Sequence, residues 1–316
     1  MVKARVHQHT ITMQTEVEAW VKQAFTADVE EFSALINAAK NVLTREKESR
    51  EGSGLVLIDP DAVRTVAVIG DIHGDIDSLA HILTDRDVEN ADRIIFLGDY
   101  GDRGTASVEV YHLLLTLKVS AGNSEKIILL RGNHEGPPDM PVMPHDLPLF
   151  FSSIYGTRGR ELYSRIKELW EFLPHAVLVP GSYVMLHGGL PAAITSIEEI
   201  AHAHETHPST SSLEEILWSD PIEGRGYFMS MRGAGWRFGE DVTEAVLRAV
   251  GVKTLIRSHE PCEGVEVRQR GKILTLFSRK GAPYYNNRAA YLIMDEPMLR
   301  DARDATELVR TAARIW

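Results

Sequence analysis

The sequence holds a single cysteine, Cys262, in 316 residues. No intramolecular disulfide can form, and a cysteine-built zinc site has no partners. It also lacks any apolar run approaching the roughly 18 to 20 residues that span a bilayer. The first twenty residues scatter His7, Gln8, His9 and Glu16 where a signal peptide would be apolar. The expectation is a cytoplasmic protein in a reducing compartment, without a membrane partner. Basic residues are in deficit, with Lys and Arg numbering 34 against 45 Asp and Glu for a formal charge of -11. A surface of that sign repels nucleic acid, which excludes it as the expected partner. Internal repeats and low-complexity tracts are absent. What is there is 44% hydrophobic content, enough for a sizeable core in a single catalytic domain.

Apolar residues at Val17, Trp20, Val21, Phe25, Phe32, Leu35, Ile36, Ala39 and Leu43 recur at helical spacing. This predicts an N-terminal helical extension over residues 1–50, closed by the loop residues Gly52, Ser53 and Gly54. The text then changes to short β-branched runs at 66–69, 94–97 and 127–130, each ending in a charged turn, with helical segments between. That is a βαβαβ unit of parallel strands, whose turns gather at the carboxyl ends where open α/β sheets place ligands. Hairpins are predicted around Pro180-Gly181-Ser182 and around Gly271, so the second sheet is expected to be more antiparallel. The catalytic domain is expected to run over 51–300. Apolar repeats over 303–316 predict a final helix, 301–316, packing on the core.

Chemistry concentrates in clusters that follow the predicted strands: Gly70-Asp71-Ile72-His73-Gly74, Gly98-Asp99-Tyr100-Gly101-Asp102-Arg103-Gly104, Arg131-Gly132-Asn133-His134-Glu135, His187-Gly188-Gly189 and Arg257-Ser258-His259. Asp71 and His73 stand two apart, so at an extended strand end both point to one side. Carboxylate oxygens and imidazole nitrogens suit zinc, manganese or iron. Asp99, arriving from the next strand, has two oxygens with which to bridge a pair of ions. Taken alone, Asp-x-His-Gly also fits a turn with hydrogen-bonded side chains. The ordered set of clusters does not fit that reading.

This ordered set resembles the phosphoprotein phosphatase family of serine/threonine phosphatases, within the metallophosphoesterases. The likeness runs from about residue 55 to 294 and takes in Leu173-Pro174, Leu217-Trp218-Ser219-Asp220-Pro221 and Leu276-Phe277-Ser278. It implies an α/β fold, a β-sandwich of two mixed sheets flanked by helices in four αββα layers. It implies two divalent ions, manganese in vitro with iron or zinc as alternatives, one held by Asp71, His73 and Asp99 and the other by Asp99, Asn133, His187 and His259. Such a pair lowers the pKa of a shared water, so that the bridging hydroxide attacks phosphorus directly. His134 would be the general acid for the leaving alkoxide, with Asp102 fixing its tautomer. Arg103 and Arg232 would grip the phosphate, with Asn133 also facing it. Arg237 is read as a surface or packing residue. Arg131 falls near the phosphate by the same likeness, or else partners a neighbouring carboxylate. The implied substrate is a phosphoprotein or phosphopeptide; regulatory subunits are not implied by any residue.

The likeness has departures. Gly101 replaces a β-branched residue, and the loop from Arg279 to Tyr285 differs, leaving Tyr284 or Tyr285 for the aromatic role. Residues 136–150 carry five prolines and two methionines, which predicts a loop beside His134. His202, His204 and His207 are read as solvated loop histidines, and Cys262 as a packing residue. Hydrolysis of diadenosine tetraphosphate is the alternative activity, weighed against by Asp102-Arg103-Gly104 and Glu135. A scaffold on a dead fold would have lost ligands that are intact in this chain.

Overall fold

The structure, a computed structural model, describes residues 13–120 and 124–316. Residues 1–12 of the expected extension lie outside the described residues. The β-branched runs form strands β1 (Leu55–Leu57), β2 (Thr65–Ile69), β3 (Arg93–Phe96), β4 (Ile127–Leu129), β5 (Ala176–Val179) and β6 (Tyr183–Leu186). Three short strands follow, β7 (Asp220–Pro221), β8 (Tyr227–Met229) and β9 (Trp236–Phe238). The remainder are β10 (Thr254–Arg257), β11 (Val265–Arg268), β12 (Ile273–Leu276), β13 (Ala290–Asp295) and β14 (Ala313–Ile315). One sheet has the order β14-β13-β2-β3-β4, a second β1-β5-β6-β10-β12-β11, and a small third β7-β9-β8.

Side chains alternate across a strand, and the alternation sorts the apolar residues into layers. Ala67, Ile69, Ile94 and Phe96 face Ile36, Leu43, Val110 and Leu114 of the helices on one side. Their neighbours Val66, Val68, Ile95 and Leu97 face the other way, onto Val177, Met185, Ile256 and Leu274 of the second sheet. That sheet's opposite face, with Leu178, Val184 and Leu255, meets Ile216, Leu217 and Val246. The result is the four-layer αββα sandwich of two mixed sheets.

β2, β3 and β4 are parallel, as the βαβαβ reading requires. The second sheet corrects an expectation. Its hairpins β5–β6 and β11–β12 are antiparallel, but β1–β5, β6–β10 and β10–β12 are parallel. A hairpin leaves a local turn signal, whereas parallel partners are set by helical crossovers far apart in the chain.

The helices Met13–Thr26 and Val29–Ser49 pack on the helix Ser107–Val119 through Val17, Ala24, Phe32, Ile36 and Leu43. Asp28 and Glu31 form a reciprocal capping box that starts the second of them. Phe32 is wholly buried beside His112 and Phe151, and its truncation to Ala is expected to cost about 3–5 kcal/mol.

Two further expectations are corrected. The chain from 303 does not end in a helix: a short one, Ala305–Thr311, is followed by β14, which pairs antiparallel with β13 and gives its edge a partner. Within 136–150 the loop extends only to Asp146, because the helix Leu147–Tyr155 takes Pro148 into its first turn, where a missing N–H is harmless. Among the described residues no helix is long and apolar enough to cross a membrane.

Candidate metal centre and catalytic cleft

Asp71 follows β2, Asp99 follows β3 and Asn133 follows β4 in one sheet, while His187 follows β6 and His259 follows β10 in the other. The carboxyl ends of these strands converge, so both sheets contribute. The loops approach one another closely: a Cβ on Gly98, with φ 106°, would lie 2.4 Å from the nitrogen of Gly132. His73, Asp99, Asp102, Arg103 and His259 all take positive φ, of 43°, 57°, 63°, 69° and 74°. Each such non-glycine residue costs about 1–3 kcal/mol and needs its surroundings to hold it. Glu135 is one such restraint. Its buried carboxylate accepts from the amides of Asp99 at 2.8 Å, Gly132 at 3.1 Å and Tyr100 at 3.0 Å, and from the Tyr111 hydroxyl at 2.8 Å.

The spacing of donor atoms distinguishes ligation from hydrogen bonding. Two atoms each about 2.0–2.2 Å from one ion, at 90–110° to each other, are separated by about 2.9–3.5 Å. His73 Nε2 lies 3.5 Å from Asp71 Oδ2 and 3.4 Å from Asp99 Oδ2. His187 Nε2 lies 3.3 Å from Asp99 Oδ1, 2.9 Å from Asn133 Oδ1 and 3.1 Å from His259 Nδ1. Asp99 thus turns one oxygen to each histidine group, the arrangement of a bridge. The Nδ1 atoms of His73 and His187 face the carbonyls of Gly101 at 2.9 Å and Leu97 at 3.0 Å. Donating there leaves the Nε2 lone pairs turned inward.

The donor set fits a pair of cations. Asp71 Oδ1 is occupied by Ser258 Oγ at 2.5 Å, but its buried Oδ2 has no protein partner. Burial, and after it the charge of Asp99, raise the Asp71 carboxyl to about 6, a crowding that a cation relieves. Burial opposes the charge on Asp99 too, yet His187, His134 and His73 outweigh it and hold the group well below its ordinary range. Burial lowers His73 to about 3 and pushes His259 well below its ordinary value, the direction that favours ligation, whereas at His187 burial is outweighed by Asp99 and Asp71, which raise it. The Asn133 amide satisfies this cluster without an ion only by turning its nitrogen inward, toward Asp99, His187 and His259. With an ion, its oxygen faces in.

A third grouping, Asp102, His134 and His145, is of another kind. His134 Nδ1 and His145 Nδ1 lie 2.6 and 2.7 Å from Asp102 Oδ2, too short for two ligands of one ion and right for charge-assisted hydrogen bonds. Burial disfavours the His134 cation, but Asp99 and the Asp102 hydrogen bond outweigh it and raise its pKa. The ring stands edge-on to His73 with centroids 4.8 Å apart.

The cleft is a cavity of about 450 Å³ lined by His73, Asp99, Arg103, Asn133, His134, Trp218, Arg232, His259 and Tyr284 among others. Arg103 donates to the Met143 carbonyl at 3.1 Å, and Arg232 Nε to Asp220 Oδ2 at 2.6 Å. Asp71, Asp102 and His187 stand behind the lining residues and contact them, whereas Arg131 is turned away from the cleft. Its buried guanidinium donates to the Glu135 carbonyl at 2.7 Å and to Glu171 at 2.8 Å, so it is the carboxylate partner and not a phosphate ligand. Tyr284, not the exposed Tyr285, takes the aromatic position, its ring 5.5 Å from that of His73 and under the Arg279 guanidinium. Arg237 is exposed. His202 lies in the turn between two short helices, His204 sits on the second of them, Ala203–Thr206, and His207 pairs with Asp139 at 2.9 Å.

Sequence reasoning missed four supports. Asp220 accepts from Arg232 and from the buried Arg257 at 2.9 Å; its signal was a lone carboxylate in the Trp218-Ser219-Asp220-Pro221 stretch. Glu135 was read only as a branch marker. His145 and Tyr163 lie in segments with no spacing that points to the cleft.

A sandwich with such a cluster at its strand ends defines a metal-dependent phosphoesterase. Residues 64–263 match the family model described as calcineurin-like phosphoesterase, and the chain belongs to that family. It is similar to a protein serine/threonine phosphatase from Saccharomyces cerevisiae with similarity to human phosphatase PP5, at 25% identity over 85% of this chain and 84% of that one, with a TM-score of 0.72. A cold-active protein-tyrosine phosphatase of a psychrophilic Shewanella shares the fold at 17% identity, over 76% of this chain and 77% of that one, with a TM-score of 0.53.

Proposed function

We propose that this protein hydrolyses phosphate monoesters on serine and threonine side chains. The observation that carries the reading is the placement of His134, braced by Asp102 on one side and open to the cleft beside the Asp99 bridge on the other. Two divalent ions bound by Asp71, His73, Asp99, Asn133, His187 and His259 supply an activated water and charge neutralisation for the phosphoryl group. Arg103 and Arg232 line the same cavity and offer guanidinium forks to the remaining phosphoryl oxygens. Asp220 orients Arg232 through its Nε, leaving the terminal nitrogens for substrate. His134 holds a proton at Nε2 for the departing alkoxide, whose high pKa makes a proton donor valuable. The likeness to the Saccharomyces cerevisiae serine/threonine phosphatase supports the same substrate class.

The test compares a phosphoserine peptide, a phosphotyrosine peptide and diadenosine tetraphosphate under one manganese condition. Fastest turnover of phosphoserine is expected. Faster turnover of the dinucleotide or of phosphotyrosine overturns the serine/threonine assignment.

A further inference from the structure

His145 is outside the proposed metal and phosphate ligands, yet it bonds to a carboxylate beside the cleft that accepts four hydrogen bonds. Asp102 Oδ2 accepts from His134 Nδ1 at 2.6 Å and His145 Nδ1 at 2.7 Å, and Oδ1 accepts from the amides of Asp146 and Leu147, each at 2.7 Å. An ionised carboxylate only accepts, so both imidazoles carry a proton on Nδ1. On the other side of the His145 ring, Nε2 lies 2.6 Å from the Tyr163 hydroxyl. The chain of hydrogen bonds runs Tyr163 to His145 to Asp102, and meets His134 coming from the cleft. His145 and Tyr163 also line a separate cavity of about 180 Å³ that opens beside His134 and Asn133.

We propose that His145, set by Tyr163, is a positioning residue that fixes the Asp102 carboxylate and thereby aims His134 Nε2 at the leaving-group oxygen. The proposal rests on the phosphomonoesterase reading above. Asp102 itself has a φ of 63°, a conformation that must be held by its contacts, and the two amides fix only one of its oxygens. With His145 removed, Oδ2 is held by His134 alone, and carboxylate and ring move together. In the step concerned, the P–O bond to the side-chain oxygen breaks with its electron pair going to that oxygen. His134 Nε2 gives up its proton to it, so the alcohol departs neutral. An aryl oxide of low pKa departs without that proton, so its release is indifferent to where Nε2 points.

The dependence on leaving group therefore separates positioning from general damage. The manganese-loaded protein is assayed with a phosphoserine peptide and with p-nitrophenyl phosphate. His145→Ala is expected to lower kcat on the peptide roughly 10- to 30-fold and on the aryl ester less than about 3-fold, with KM unchanged on both. His145→Asn places an amide nitrogen where Nδ1 was and is expected to recover most of the loss. Tyr163→Phe, which keeps the ring packed on Phe151 and Trp170, is expected to fall between them. Equal losses on the two esters in His145→Asn and Tyr163→Phe, or no loss in His145→Ala, overturn the proposal and leave the phosphomonoesterase reading intact. Wild-type turnover of neither ester overturns that reading and this proposal with it.

Discussion

His134 Nδ1 lies 2.6 Å from Asp102 Oδ2, while its Nε2 lies 3.9 Å from Asp99 Oδ2, so one ring connects the Asp102 carboxylate to that of Asp99. His134→Asn keeps polarity and loses the proton donor. It is expected to lower kcat on a phosphoserine peptide by roughly 10²- to 10⁴-fold with little change in KM. Steady-state kinetics decide it, and a variant that loses affinity but keeps kcat refutes the role.

An ion held by the orphaned Asp71 Oδ2 and the inward lone pairs of His73 and His187 would make folding and metal binding interdependent. At free metal about 100 times its dissociation constant, the folded state gains about 2.7 kcal/mol. Chelation is expected to abolish turnover and lower Tm by several degrees, with manganese restoring both. Calorimetry beside an activity assay is the check; a chelated protein unchanged in both has no such centre.

The arginines separate by where their guanidinium groups end. Arg103→Ala and Arg232→Ala are each expected to lower kcat/KM roughly 10- to 100-fold, the worth of a charged hydrogen bond. Arg131→Met removes bonds to the Glu135 carbonyl and to Glu171 and is expected to lower stability instead, leaving KM for the ester unchanged. Inhibition by inorganic phosphate, measured across the three variants, ranks them independently.

Asp220 makes stability depend on acid. Burial opposes its charge, but His259, Arg257 and Arg232 outweigh burial and hold the carboxyl at about 2. Its folded pKa is below the unfolded one, so the contribution is complete above pH 4 and is lost as pH falls toward 2. At neutral pH it amounts to about 2 kcal/mol. Asp220→Asn is expected to lower the urea midpoint at pH 7, and the gap to wild type should narrow below pH 4 and close toward pH 2. A gap constant over that range removes Asp220 as the cause.

The parts of this molecule written in local pattern were legible in the chain. Asp71 and His73 lie two apart at the end of β2, and the runs before Asp99 and Asn133 are β-branched and short, so strand ends and the polar clusters that follow them were read together. Asn133, His187 and His259 became candidate ligands only through the family likeness, because nothing local says that two sheets meet over them. Pairings of high sequence separation were hidden: β6 with β10, β13 with β14, and His145 with Asp102, 43 residues apart. Pro148 misled because a proline in a first helical turn has the same letter as one that breaks a helix. Arg131 misled because residues two apart at an extended strand end share a side, yet its guanidinium turns back to the Glu135 carbonyl and to Glu171 instead of following Asn133 into the cleft.

Asp71, His73, Asp99 and Asn133 come from one layer of the sandwich, and His187 and His259 from the other. An ion shared between them would act as a rivet through two plates. The sheets would then not be prised apart or slid past one another until a ligand let go, which would place ion release on the route to the unfolding transition state. The consequence is kinetic: the loaded protein should resist proteolysis and heat for longer than its equilibrium stability alone accounts for, because the rate of opening is governed by the rivet.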